Sequence, residues 1–377
     1  MEITIIERLE KVVDYRKGNA IRHKLTDILV IALLTFICNG NGYSAMHILG
    51  KNHESELRKF LELPNGIPSQ DTFEEIFKYL NPKALSETLR ELISDSGGNT
   101  LNFDRLLTSI DGKTLCGSKV AGGKAIHVVS AYASELRLVL GELATEAKSN
   151  EITAIPKLLD MICQKGMVIT IDAMGTQTDI AEAIIEKEAD YVLSVKGNQP
   201  TLHTDITLLA EYELLNADKE ELRENGQYER TIEKGHGRIE TRECYISPQT
   251  NWLTAPHDWK GLAGFGVIVS KREVLGHPPT FSNEYFIYSL KDTTASELLH
   301  IKRSHWAIEN NLHWVLDVVF REDDSRARLG SAPENLNILR KEAAHLLREH
   351  DSSGSITGKR YRCSLNLSYA LDVLSVK

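Results

Sequence analysis

Three acidic residues that lie far apart in the chain are the first candidates for chemistry. Asp111 lies inside the β-rich stretch "TSIDGKTL", and Asp172 ends the apolar run "VITID". Glu309 lies between two tryptophans in "RSHWAIENNLHWVLD". A charge inside or at the tip of a buried strand is costly unless it is paired or binds a metal ion. The three carboxylates are therefore candidate metal ligands.

Shared cations would give these carboxylates a common role. Ligands of open α/β sheets collect outside the carboxyl ends of the strands, so we expect Asp111 and Asp172 at one sheet edge, with Glu309 added from a flanking helix. Such an oxygen-rich site suits Mg²⁺ or Mn²⁺. Two such ions about 4 Å apart can activate an attacking hydroxyl and stabilise the leaving oxygen in phosphodiester chemistry. Taken singly, each residue has an ordinary alternative, as a turn or cap residue on a strand or as an exposed residue of a helix.

The helix of Glu309 also carries histidines at helical spacing. His305, Glu309, His313 and Asp317 follow one another every fourth residue and share one face of the helix. Zinc is the rival interpretation, but no HExxH motif is present. His305 and His313 are separated by about 12 Å of helical rise, so they cannot both ligate one ion. The spacing favours positioning or phosphate-contacting roles for the two histidines.

Basic residues near the expected sheet edge are candidates for contacts with phosphates. Lys113 shares the face of Asp111 if the strand continues, and Lys196 follows a later buried strand. Arg238, in "GHGR", lies on a predicted hairpin, for which a solvated loop is the alternative. The predicted DNA contacts are Lys113, Lys196, Arg238, Arg303, His305 and His313. An aspartyl phosphotransferase built on "IDGKT" is disfavoured, because that chemistry generally uses a second Asp where this chain has Lys113.

The pattern of apolar, polar and turn-forming residues predicts the elements that would position these residues. Residues 1–98 read as helical, with "SDSGGNT" as a linker, and from residue 101 the order is β-β-β-α-β-α-β. Three antiparallel strands that lead into buried parallel ones predict a mixed sheet with helices on its faces. A β-containing insertion is expected at about 203–290, and residues 351–377 read as a basic C-terminal tail.

Composition narrows the class of protein. The 377 residues carry a net charge of −9, which argues mildly against a general nucleic-acid binder. The five cysteines form no CxxC pair, so a disulfide framework or a structural zinc site is not expected, and a reducing compartment fits. The apolar run "ILVIALLTFIC" is too short to cross a bilayer and no signal peptide precedes it. We expect a core helix there and a cytoplasmic protein without membrane contact.

Several longer stretches resemble a known family. They are "LTDILVIALLTFICNGNGYSAMHILG", "GIPSQDTFEEIFKYLNP", "SIDGKTLCGS", "VITIDAMGTQTDIAEAIIEKEADYVLSVKGNQPTL" and "RSHWAIENNLHWVLDVVFREDDSRAR". Together they make the chain similar, nearly end to end, to bacterial insertion-sequence transposases of the ISAs type, a group that includes the H-repeat-associated proteins. The last two stretches are the specific ones.

The resemblance implies a fold, an activity and a site. The fold would be an RNase H-like mixed five-stranded sheet with flanking helices and a β-containing insertion, in a catalytic domain at 101–350 that follows the N-terminal all-helical domain. The activity would be metal-dependent cleavage and joining of double-stranded DNA at the ends of the element, with Mg²⁺ or Mn²⁺. Carried over by position, the catalytic and metal-binding triad is Asp111, Asp172 and Glu309. The expected assembly on DNA is a homodimer or a higher oligomer, associated with the nucleoid.

The chain departs from a pattern of the wider group. Transposases with a β-rich insertion often carry Tyr-x2-Arg-x3-Glu-x6-Lys on the glutamate helix, whereas this chain has Lys302, His305 and Leu316 around Glu309. The roles of Lys302, Arg303 and His305 are therefore open. The alternative function is that of a domesticated or inactive DNA-binding relic that no longer transposes.

Overall fold

The N-terminal part of the chain is helical. The structure, a computed structural model, describes residues 5–18, 21–95, 103–119, 123–145, 151–235 and 237–375. The first helices are α1 (Ile5–Leu9), α2 (Leu25–Ile37), α3 (Tyr43–Asn52), α4 (Glu54–Leu57), α5 (Gln70–Tyr79) and α6 (Pro82–Asp95). Most of the predicted linker, from residue 96 onward, lies outside the described residues.

A mixed sheet follows, as the order of elements predicted. Its first strands are β1 (Leu107–Thr114), β2 (His127–Ala133), β3 (Leu138–Thr145), β4 (Val168–Ile171) and β5 (Asp190–Val195), with helices α7 (Glu151–Ile162) and α8 (Thr178–Glu186) between them. Strands β1, β2 and β3 pair antiparallel, whereas β1, β4 and β5 run parallel in the spatial order β3-β2-β1-β4-β5. The mixed five-stranded sheet is confirmed.

The segment after β5 enlarges the same sheet. It contains α9 (Pro200–Leu209), α10 (Lys219–Glu224), β6 (Tyr228–Gly235), β7 (Arg238–Ser247), β8 (Gly264–Val274) and β9 (Thr280–Tyr288). Strand β9 pairs antiparallel with the free edge of β5, which extends the sheet to nine strands in the described residues. The predicted β content is confirmed, and these strands continue the central sheet instead of forming a separate one.

The helix of Glu309 changes its winding partway along. Helix α11 (Ala295–Ala307) starts at Thr294, whose side chain accepts a hydrogen bond from the Glu297 amide, a normal N-cap. It then continues through two π-helical segments, Ile308–His313 and Val315–Val319. Three more helices complete the chain: α12 (Ala332–Glu349), α13 (Ile356–Leu365) and α14 (Leu367–Val373).

Two faces of the sheet are covered by different helices. Helices α7, α8 and α9 pack on one face, and α11 packs on the other through Leu298, Leu299 and Ile301. A further core joins the N-terminal helices to α12 and to the π-helical segments. The run "ILVIALLTFIC" forms most of α2, whose apolar residues are all buried, so the predicted core helix is confirmed.

Among the described residues, none of the helices is both long enough and apolar enough to cross a bilayer.

Candidate active site

The two strand carboxylates lie where the parallel pairing of β1 and β4 ends. Ile110 of β1 pairs in parallel register with Ile171 of β4; Asp111 is the next residue of β1, which continues to Thr114, and Asp172 directly follows β4. Both acids therefore lie at the same level of neighbouring strands. The sequence predicted this placement, because parallel strands present their carboxyl ends together.

Asp172 is held by the turn that it begins. Its Oδ1 accepts hydrogen bonds from the amides of Met174 at 3.0 Å and Gly175 at 3.3 Å. Backbone donors fix the carboxylate more firmly than flexible side chains would, since the turn has no side-chain torsions to order. The cap interpretation of Asp172 is thus correct as far as Oδ1 is concerned.

The π-helical segment brings Glu309 and His313 to the strand end. Its wider winding is visible in the bond from the Trp314 amide to the Glu309 carbonyl, which spans five residues. The Nδ1 atom of His313 lies 3.4 Å from Asp111 Oδ2 and 3.6 Å from Glu309 Oε2. One ligand atom from each of these three residues lies within 4.8 Å of the others. Segments of π-helix within α-helices are frequent at functional sites.

The electrostatics of this cluster are those of crowded carboxylates. Burial, followed by the charge of Glu309, raises the pKa of Asp111 to about 8, and Asp172 adds to the shift. The contact with His313 lowers the pKa of Glu309 to about 2. Asp111 is only 16 % exposed and Glu309 is 53 % exposed, so the better-solvated carboxylate keeps the charge. A cation that replaced the proton of the Asp111 carboxyl would stabilise such a cluster.

Polar contacts of His305 and Lys302 anchor α11 to the sheet. His305 Nδ1 is 2.9 Å from Thr170 Oγ1, which also bonds Ser109 Oγ. Burial lowers the pKa of His305 to about 4, so the ring is neutral. Lys302, 2 % exposed, forms an ion pair of 2.7 Å with Glu284 of β9. These contacts explain two of the open positions on the helix as anchors.

Lys113 belongs to a buried network beside Asp111, on the same face of β1. Its Nζ is 2.8 Å from Glu322 Oε2 and also pairs with Asp317. Glu322 is fully buried and accepts a further bond from Asn337 Nδ2 at 2.8 Å, with Arg340 at 3.5 Å. This network ties β1 to α12. The network gives Lys113 a structural role at the site. The contact between Lys113 and a DNA phosphate stays a prediction.

Helix α12 supplies a second lysine to the same region. Lys341 Nζ donates to Ser130 of β2 at 2.9 Å and pairs with Glu142 of β3. The sequence analysis missed Lys341, Arg340 and Glu322. For the residues of α12 a signal existed, since polar side chains occur at apolar-face positions of a strongly periodic helix. Glu322, within an acidic run, carried no such signal.

The strand that carries Asp111 is packed tightly from behind. A Cβ at Gly112 would overlap with His127 Nε2 and Glu151 Oε1, which form a buried ion pair on the opposite face of the sheet. His127 Nδ1 is also 3.0 Å from Thr114 Oγ1. Only glycine fits beside Asp111, so the position of the carboxylate depends on this close contact.

The remaining predicted DNA contacts are dispersed. Lys196 is exposed just beyond β5, at the same edge as the acidic cluster. Arg238 starts β7 in the predicted hairpin and pairs with Glu240 at 2.6 Å, and Arg303 pairs with Glu233 of β6. The structure thus brings Asp111, Glu309 and His313 together, with Asp172 beside them after the neighbouring strand, and Arg238 and Arg303 pair with residues of the insertion.

Comparisons with known proteins identify the family of the chain. The family of the transposase DDE domain matches residues 102–344, and the DDE_Tnp_1-associated family matches residues 6–93. The chain is 37 % identical over 378 residues to the "Putative transposase YncI" of Escherichia coli O157:H7, covering 99 % of this chain and 94 % of the relative. It is 34 % identical over 380 residues to the "H repeat-associated putative transposase YhhI" of Escherichia coli strain K12, covering 98 % and 97 %.

These matches define the class and then the group. Residues 102–344 match the transposase DDE domain, so the chain is a DDE transposase. The chain belongs to the ISAs-type, H-repeat-associated group of that family. The resemblance carried by the sequence motifs is confirmed, and the family implies the use of divalent metal ions.

Proposed function

We propose that this protein is an active DNA transposase that cleaves phosphodiesters and transfers strands at the ends of its insertion sequence. The observation that carries the proposal is the convergence of Asp111 and Glu309, with Asp172 beside them, from segments far apart in the chain. Collecting like charges is unfavourable for stability alone. A relic without catalysis would have no need of this cluster, and the alternative function is therefore the weaker one.

The donor set fits divalent cations. Asp111 and Asp172 would hold one ion from adjacent strands, and Asp111 and Glu309 would hold the other, with carboxylate oxygens of the kind that Mg²⁺ and Mn²⁺ prefer. Bound ions would supply activation of water or of the freed 3′-hydroxyl and stabilisation of the leaving oxygen in an in-line displacement. The raised pKa of Asp111 is consistent with the fit, because its causes are burial and then the negative charge of Glu309.

The residues of the chain position the reacting groups. The cap at Asp172 and the close contact at Gly112 hold the strand carboxylates, while His305 and Lys302 fix the helix of Glu309. Lys196 is the exposed cation of the predicted set nearest this edge, so it is the first candidate for a contact with a DNA phosphate. Arg238 and Arg303 remain proposed DNA contacts, whereas His305, bonded to Thr170, and the buried His313 act inside the protein.

The other assignments follow from this activity. The N-terminal helices help to recognise the terminal repeats or to assemble the synaptic complex, and the acidic helix α5 does not read a major groove alone. The active form on DNA is a homodimer or a higher oligomer. The protein acts in the cytoplasm, on DNA of the nucleoid.

A cleavage assay tests the proposal. Purified protein is incubated with duplex DNA that carries the element's ends, in Mg²⁺, in Mn²⁺ or with a chelator. We expect metal-dependent nicks at the ends, lost by at least about 10³-fold in Asp172→Asn and Glu309→Gln, since loss of a group that binds the metal removes transition-state stabilisation. The control is Asp160→Asn, an exposed carboxylate on α7. Full cleavage by Asp172→Asn contradicts the proposal.

A further inference from the structure

The position of His313 goes beyond a three-carboxylate site. Its side chain is buried, yet its Nδ1 faces both Asp111 and Glu309, at 3.4 Å and 3.6 Å. These separations exceed the range of about 2.7–3.2 Å that is usual for direct N–H···O hydrogen bonds. Ligands at about 2.1 Å from one ion, placed at right angles, are roughly 3 Å apart. The separations of 3.4 Å and 3.6 Å are slightly wider than this cis spacing, and one ligand atom from each of the three residues lies within 4.8 Å of the others, so a single ion can lie between them.

The other ring nitrogen makes no contact that would explain the histidine. His313 Nε2 is buried and has no hydrogen-bond partner among the described residues. The polar contacts of the ring are therefore those of Nδ1 with the two carboxylates.

We infer that His313 is a metal ligand, so that one cation is held by a mixed nitrogen and oxygen set of Asp111, Glu309 and His313. The inference rests on the proposed function for the two carboxylates and adds a nitrogen donor to them. Imidazole binds transition-metal ions in preference to Mg²⁺. The site therefore selects Mn²⁺ over Mg²⁺, and the second cation, at Asp111 and Asp172, has oxygen ligands alone from this chain.

The π-helical winding explains why this donor is available. Glu309 and His313 are four residues apart, and the wider turn between them keeps both side chains directed at the end of β1. His305 lies further back and is already bonded to Thr170, so only one histidine of the stripe reaches the cluster. This agrees with the helical rise, which forbids joint ligation by both histidines.

Electron spin echo spectroscopy of bound Mn²⁺ tests the assignment. Protein labelled with ¹⁵N-histidine is loaded with one equivalent of Mn²⁺, and we expect modulation from a directly bonded imidazole nitrogen. The modulation disappears in His313→Gln and persists in His300→Gln, an exposed histidine of the same helix. Titration calorimetry is expected to show Mn²⁺ affinity falling at least roughly tenfold in His313→Gln, since even groups outside the ligand shell contribute that much. The affinity for Mg²⁺ changes less.

The failures of the two proposals are distinguishable. Bound Mn²⁺ without nitrogen modulation in the wild type, or modulation that survives in His313→Gln, overturns the ligand assignment even if metal-dependent DNA cleavage is intact. Nitrogen modulation without any cleavage by the wild type leaves the ligand assignment standing and removes the proposed function. The labelled wild-type spectrum requires no variant, so a folding defect of His313→Gln does not obscure the result.

Discussion

At the scale of single residues, the site depends on charges that are hidden from water. Lys113 is 10 % exposed and Glu322 is 2 % exposed. Lys113 lies two residues after Asp111 on β1, so the ion pair is next to the site. Removing one member of such a pair leaves an uncompensated buried charge, which is far more costly than losing a surface contact. The chemistry at Asp111 is therefore supported by residues that never touch a substrate.

The first prediction concerns Lys113→Met. It removes the shortest ion pair of the buried Glu322 and leaves Asn337 at 2.8 Å and Arg340 at 3.5 Å, so we expect the free energy of unfolding to fall by about 3 kcal/mol. Urea denaturation followed by circular dichroism measures the change. Lys165→Met is the matched control, because its pair with Glu188 is exposed on both sides and its removal is expected to change nothing measurable. Equal stability of the two variants would refute the account.

The second prediction concerns the glycine beside Asp111. In Gly112→Ala the new methyl overlaps with His127 and Glu151, so β1 must shift, at a cost of about 1–3 kcal/mol. We expect loss of DNA cleavage as well as a lower urea midpoint. Gly235→Ala, where an added Cβ meets nothing within 4 Å, is expected to keep both. Wild-type cleavage by Gly112→Ala would show that the close contact does not position Asp111.

At the scale of elements, the anchoring of α11 determines where Glu309 lies. Burial raises the pKa of Glu284, but the charge and the hydrogen bond of Lys302 outweigh it, and the net pKa lies below the usual value. A depressed carboxyl pKa contributes stability above the unfolded pKa of about 4.3, and that contribution is lost as the pH falls through the folded value. The pair under the helix is thus a pH-dependent anchor.

The third prediction follows from the lowered pKa of Glu284. Glu284→Gln is expected to lower the urea midpoint relative to the wild type at pH 7, and the difference is expected to shrink as the pH falls below about 4. Denaturation of both proteins across pH 3–7 gives the comparison, in which general acid effects cancel. A difference that stays constant with pH would mean that the Lys302–Glu284 pair contributes no charge-dependent stability.

The elements themselves were largely readable from the sequence. Buried apolar runs ending in an acid predicted β4 and the position of Asp172, and the turn chemistry of "GHGR" predicted the hairpin at Arg238. The π-helical segment around Glu309 was not predictable, because the four-residue stripe fits an ordinary α-helix equally well. The partners of Lys113 were hidden too, since they depend on tertiary contacts with α12.

At the scale of the whole molecule, the N-terminal helices share a core with the catalytic part. Helix α2 packs with α12 and with the π-helical segments that carry Glu309. Residues 351–377, predicted as a basic tail, include α13 and α14, and Lys359 and Arg360 are buried there. Boundaries drawn from composition do not indicate such shared burial, because a run of basic residues reads as solvated.

The fourth prediction tests this dependence. A fragment that begins at residue 101 would expose the apolar face of α12 and residues such as Leu312 and Leu316. We expect it to aggregate and to lose cooperative unfolding, because an exposed apolar patch of this kind drives association. Size-exclusion chromatography and thermal circular dichroism measure both properties. A monomeric fragment with a cooperative transition would show that the catalytic part folds without the helices.

The most direct test of the central claim is a metal-specificity switch at Asp172. Replacing the carboxylate in Asp172→Cys offers a thiolate, which binds Mg²⁺ poorly and accepts softer ions better. If Asp172 holds a catalytic cation, DNA cleavage by this variant is lost in Mg²⁺ and partly restored in Mn²⁺, while the wild type is active in both. Undiminished cleavage by Asp172→Cys in Mg²⁺ would contradict the account.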